Sequence, residues 1–177
     1  MTRSSPSLAR RVPALGIALA LGTVAGLTLA AGRTLAEAPP VTGRIDAYLV
    51  TRADDGSERL RAAEVAEPGE TMEFRIEFTN AGEEPASGIT VVNPVPANTR
   101  FLPDTDGADV AARFEVSVDG GESFEPEPVT RIETQPDGSQ AEVVIPPEQY
   151  THVRWVPAEP LGAGGGAQRF HYRVAVN

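Results

Sequence analysis

The chain has 177 residues, 41 % of them hydrophobic and 6 % aromatic, with 17 Gly and 16 Pro spread along its length; this leaves room for one domain behind an N-terminal segment and suits short strands joined by turns. Cysteine is absent, which excludes disulfides, thiolate metal sites and a lipid-modified cysteine anchor. All 15 basic residues are arginine, and past residue 36 eleven of them stand against 25 acids, a net of −14 that speaks against nucleic-acid or peripheral-membrane binding.

Residues 1–36 read as an address. Arg3, Arg10 and Arg11 precede twenty uncharged residues from Val12 to Ala31, and small residues follow as far as Thr34-Leu35-Ala36. A basic start, an apolar middle and small residues at the cut are the three parts of a secretory signal peptide, with cleavage expected after Ala36. The rival is an uncleaved helical anchor, since twenty apolar residues span a bilayer, but Pro13, Gly16, Gly22 and Gly26 make it a poor span. Either way the basic end stays inside and residues 40–177 are exported. The surroundings of Arg10-Arg11 match a twin-arginine signal poorly. The chain ends on a strand pattern without a sorting signal, so surface retention would need that anchor or a partner.

Residues 37–66 read as a linker and one or two strands, with Arg44–Thr51 the clearest. Residues 67–177 read as the main domain. From Glu70 to Thr79, Met72, Phe74, Ile76 and Phe78 alternate with Glu73, Arg75 and Glu77. Period two puts the apolar set on one face and the charges on the solvent face of a half-buried strand. The same alternation covers Arg113–Val118 and Gln168–Val176. Shorter strands are expected at Gly88–Val92, Thr99–Leu102, Ala141–Ile145 and His152–Val156. Turn residues separate them, among them Pro68-Gly69, Asn80-Ala81-Gly82, Asp119-Gly120-Gly121 and Pro146-Pro147. The expected fold is all-β: an immunoglobulin-like sandwich of seven to nine strands behind a helical signal segment.

Phe74-Arg75-Ile76-Glu77-Phe78-Thr79-Asn80-Ala81-Gly82, then Ile89 to Thr99 with Asn93-Pro94-Val95-Pro96 at its centre, then Ser117 to Phe124 and Val153-Arg154-Trp155, run in a fixed order. In that order they resemble the "domain of unknown function 11" family, a repeat of prokaryotic surface and secreted proteins. The resemblance covers about residues 67–176 as a single copy. Asn93 departs from the family's usual Asp. The resemblance implies an immunoglobulin-like fold and an envelope or extracellular setting, and no activity.

Candidate sites are few. Asp104, Asp106 and Asp109 offer three carboxylates around Gly107 to a hard ion such as calcium, but without the bidentate Glu of an EF-hand the loop reads mainly as a solvated turn. Ser117 to Phe124 also fits the Asp-box pattern, a structural hairpin. Gly162 to Gly166 lacks the following Lys and helix of a phosphate loop and reads as a flexible hairpin connection. His171 is expected on the solvent face between Arg169 and Arg173, and His152 at the start of a strand; two histidines make no zinc site alone. Tyr150 and Trp155 are the rings suited to stacking on a sugar, although Trp155 more naturally fills the core. The chain has no cysteine and no G-x-S-x-G elbow, and the acids of the clear strands fall on outward positions. The expectation is therefore a non-enzymatic module without a cofactor, acting on an unidentified protein or envelope component, with calcium or carbohydrate binding as the rival.

Overall fold

The computed structural model describes residues 40–177, so the segment read as a signal peptide lies outside the described residues. The described chain is all-β, with a single 3₁₀ turn at Pro147–Gln149. In chain order the strands are β1 (Val41–Arg52), β2 (Glu58–Ala62), β3 (Thr71–Asn80), β4 (Val91–Pro94), β5 (Thr99–Phe101), β6 (Gly107–Ala108), β7 (Ala112–Ser117), β8 (Thr130–Thr134), β9 (Gln140–Val144), β10 (His152–Pro157) and β11 (Gly166–Val176).

One sheet runs β2-β1-β3-β11-β5, with β6 also against β11; a second runs β4-β10-β7; β8 and β9 pair only with each other. Every pairing is antiparallel, and β3 is flanked along its full length, by β1 from Val41–Asn80 to Val50–Thr71 and by β11 from Gly166–Asn80 to Ala175–Thr71. Residues 41–62 thus extend the sheet built by the later segment.

The inward residues of the two large sheets make one core. Met72, Phe74 and Ile76 of β3 and Phe170, Tyr172 and Val174 of β11 meet Val91 of β4, Val116 of β7 and Val153 and Trp155 of β10. Period-two alternation places these residues on one side of each strand, and burying them removes some 1.5–3 kcal/mol of unfavourable apolar hydration per side chain. Trp155 lies 5.2 Å from Phe114 and 5.6 Å from Phe170, centroid to centroid, and Phe74 stacks on Tyr172 at 5.3 Å. Such pairs, offset-stacked for Phe74–Tyr172 and tilted for Trp155, add to the value of the buried area because each brings the positive edge of one ring toward the negative face of another.

One polar link crosses this core. Asn93 of β4 donates from Nδ2 to the Tyr172 hydroxyl at 2.6 Å, and that hydroxyl donates to the Pro94 carbonyl at 2.9 Å. A carboxylate at position 93 would compete for the same phenolic proton. The amide leaves it free for Pro94, and burial holds the Tyr172 pKa well above its ordinary value.

The structure corrects the expectation that every charge on β3 faces solvent. Glu73 is 2 % exposed. It sits on the outer face, between Arg75 two residues along (Nε to Oε1, 2.7 Å) and Arg173 directly across on β11 (Nε to Oε2, 2.8 Å). The second sheet repeats the arrangement: Glu115 on β7 lies between Arg113 two residues before it and Arg154 across on β10. Although burial opposes ionisation of Glu73, hydrogen bonds and charge from the two arginines outweigh it and lower the carboxyl pKa.

The two arginines around Glu73 differ in exposure, 55 % for the Arg75 side chain and 24 % for Arg173. Arg173→Met leaves a buried carboxylate half-paired and is expected to cost about 2–4 kcal/mol in urea unfolding. Arg75→Met removes the more exposed partner of the same carboxylate, where water can take the place of the guanidinium, and is expected to cost less, about 1 kcal/mol. Equal losses would mean that the clamp does not act through burial.

Candidate functional site

The Asp-box turn after β7 is a closed hydrogen-bond unit. Asp119 accepts from the Ser117 hydroxyl (2.7 Å), the Glu122 and Ser123 amides (3.1 and 3.0 Å) and the Ser123 hydroxyl (2.5 Å). The Ser117 hydroxyl in turn accepts from the Gly121 amide at 2.9 Å. Gly120 and Gly121 hold φ of 82° and 90°, which a side chain would oppose. Donors from Ser123 and Ser117 hold the Asp119 carboxyl far below the usual carboxylate range. Both carboxylate oxygens are committed to the turn, the arrangement of a structural hairpin.

The glycine run between β10 and β11 is pinned, in contrast to the flexible connection expected of it. The Gly164 amide donates to Gly82 and the Gly165 amide to Asn80, at 2.8 and 2.7 Å. A Cβ on Gly166 would stand 2.3 Å from the Gly162 carbonyl oxygen, so the loop closes only without side chains there. Asn80 ties it to the β3–β4 connection, donating to the Glu84 carbonyl at 2.7 Å and accepting from the Gly82 amide at 2.9 Å.

Asp104, Asp106 and Asp109 part company. Asp109 accepts from the Arg169 amide at 2.8 Å and pairs with its guanidinium at 3.5 Å. Asp104 occupies a left-handed backbone position, φ 58°. Among the described residues no group of three or more His, Asp or Glu side chains is arranged to hold a metal ion. Asp104 and Asp106 instead act electrostatically on Glu127, a residue without a periodicity or motif to mark it. Burial first, and then the charges of Asp106 and Asp104, push the Glu127 carboxyl up to about 7. Burial also raises Asp106, against the pull of His171. His171 is half-buried, its ring so close over Gly107 of β6 that a Cβ there would lie 2.3 Å from Cε1.

The rings proposed for sugar stacking are inside: Trp155 is 1 % and Tyr150 4 % exposed. The half-buried tyrosine is Tyr48, with the Arg75 guanidinium 5.5 Å from its ring centroid. It belongs to the outer face of the large sheet, where a shallow concavity of about 410 Å³ runs past Arg44, Asp46, Arg75, Arg169 and His171. Charges there alternate across the strands and pair with each other, Arg44 with Asp46 and Arg169 with Glu77 and Asp109. A trough of about 670 Å³ lies beside β1, lined by Ile45, Ala47, Ala62, Ala63, Met72 and Phe74. It adjoins a free sheet edge, since β2 pairs with β1 only from Tyr48 to Arg52. Neither Glu127 nor Asp106 lines either concavity.

In comparisons with known proteins, no family model, no curated protein and no solved structure matches this chain.

A carboxyl whose pKa rises on folding, here from 4.5 toward 7, binds its proton more tightly in the folded state. Its contribution to stability is complete below pH 4.5 and is lost as pH rises through 7. Thermal melts are therefore expected to give a lower Tm at pH 8 than at pH 5.5, and Glu127→Gln to raise the Tm at pH 8 and flatten that slope. A Glu127→Gln profile parallel to that of the parent would contradict the assignment.

Proposed function

We propose that this chain is an exported, non-catalytic β-sandwich module of immunoglobulin-like type that acts through protein–protein contacts in cell-envelope structure or adhesion. The observation that carries the reading is what the polar groups are used for. Glu73, Glu115, Asp119 and Asp109 are each bound to partners within the chain. Asn93 and Tyr172 satisfy each other. These groups serve the fold, while among the described residues strand edges and two exposed apolar side chains of the β8–β9 pair, Ile132 and Val144, have no cover. That distribution fits recognition by strand pairing and packing better than turnover of a substrate.

Export rests on the composition of residues 1–36, and the envelope setting on the resemblance to the "domain of unknown function 11" repeat. The immunoglobulin-like assignment is supported by two antiparallel sheets around one aromatic core. A carbohydrate-binding reading loses the Tyr150 and Trp155 rings on which it stood. Calcium binding through Asp104, Asp106 and Asp109 would compete with the contacts Asp109 makes to Arg169.

The full-length chain, immobilised and exposed to an envelope extract, is expected to capture a discrete protein saturably, with free chain competing. No specific capture, together with hydrolysis of peptide, ester or glycoside substrates that is lost in Glu127→Gln, would contradict the proposal.

A further inference from the structure

The β8–β9 pair is a ribbon attached at one end. Val129, 1 % exposed, anchors its base, and the Ile145 amide closes the ladder onto the Val129 carbonyl at 2.9 Å. Beyond that base the two strands pair only with each other, from Thr130–Val144 to Thr134–Gln140. Among the described residues both outer edges therefore present backbone donors and acceptors without a strand beside them, apart from the Thr130 carbonyl, which accepts from Arg131. An isolated two-stranded ribbon is marginally stable, and adding a third strand improves it.

The register sorts its side chains. Thr130, Ile132, Glu142 and Val144 share one face. Ile132 is 64 % and Val144 56 % exposed, and they lie on a diagonal of adjacent cross-strand rows. On the other face Arg131 forms a two-pronged pair with Glu125, at 2.9 and 2.5 Å, which holds that face toward the body. The apolar diagonal is thus the outward side. Of the other edges, β2 carries Glu58, Arg59 and Arg61, β4 is four residues long and ends in Pro94, Val116 of β7 is bridged by Glu125, and the open stretch of β1 carries the Arg44–Asp46 ion pair.

Charge selects the occupant. The ribbon and its turn carry Glu133, Asp137 and Glu142, while its one arginine is already paired with Glu125. A second copy would bring acid against acid. We propose that this ribbon is the docking element of the module and that it takes, as a third strand, an extended segment of alternating aliphatic and Lys/Arg side chains. Aliphatic groups then continue the Ile132–Val144 diagonal, and the alternate cations, on the opposite face, meet Glu133. The inference rests on the binding-module reading above and assigns the surface and the partner class.

The test uses the full-length chain and two labelled ten-residue peptides, one alternating Lys and Val, the other Glu and Val. The first is expected to bind saturably by fluorescence anisotropy, with amide shift changes confined to residues 129–145, and the second to show no binding. The Ile132→Thr/Val144→Thr double variant, which keeps β-branched residues and is expected to melt as the parent does, should bind the first peptide roughly tenfold more weakly. Absence of binding, equal binding of both peptides, undiminished binding by the double variant, or shifts along β1 would each overturn the inference. So would a concentration-dependent dimer that the double variant loses. Shifts along β1 or a dimer would leave the binding-module reading standing, whereas failure of envelope capture as well would remove both.

Discussion

The contact between aromatic side chains of the two sheets is the constraint on which the rest of the structure depends. No strand is shared between the β2-β1-β3-β11-β5 sheet and the β4-β10-β7 sheet, so their union rests on inward side chains and connecting loops. Trp155 from one sheet touches Phe170 and Tyr172 of the other, at 5.6 and 6.1 Å between centroids. The Tyr172 hydroxyl adds direction to contacts that otherwise have little, by bonding to Asn93 and Pro94 across the gap. Apolar burial supplies the driving force and the buried polar link fixes how the sheets face each other. A chain without disulfides has no covalent substitute for this junction.

The outer faces follow a different logic. A carboxylate that loses water must regain hydrogen bonds and opposite charge, and both Glu73 and Glu115 do so from two arginines each. In each case one arginine comes from two residues along the same strand and one from directly across the next strand. The clamps therefore report correct pairing of β3 with β11 and of β7 with β10. A one-residue slip would turn the arginine to the inner face and leave the carboxylate unpaired. Arg154 also covers the Phe124 ring at 4.1 Å, which joins the Asp-box turn to this face.

Much of the architecture was legible because alternation is local. β3, β7, β10 and β11 lie within a residue or two of where period two placed them. Other elements carry too little pattern. β2 has one aliphatic residue among charges, β8 has Ile132 alone, and β6 is two residues long. β4 begins later than expected, at Val91, because Ala86 is already bridged to Leu161 and the chain must first turn back from there. The site was less legible, since its physics depends on distant residues. Glu73 looks solvent-facing until Arg173, 100 positions away, is brought beside it. Glu127 acquires its raised pKa only when burial and the Asp104–Asp106 loop meet it in space. Asp109, grouped by sequence with Asp104 and Asp106, is drawn off by Arg169. Trp155 was expected to be core, and its 1 % exposure follows from its inward position on β10.

Trp155 is the only tryptophan in the chain and sits at the centre of the sheet-to-sheet junction, which makes it a direct reporter. Closed sheets give the native chain blue-shifted emission and very slow acrylamide quenching, both expected to be lost in one transition as urea unfolds it. Red-shifted, freely quenched emission under native conditions would mean that the two sheets do not close on each other.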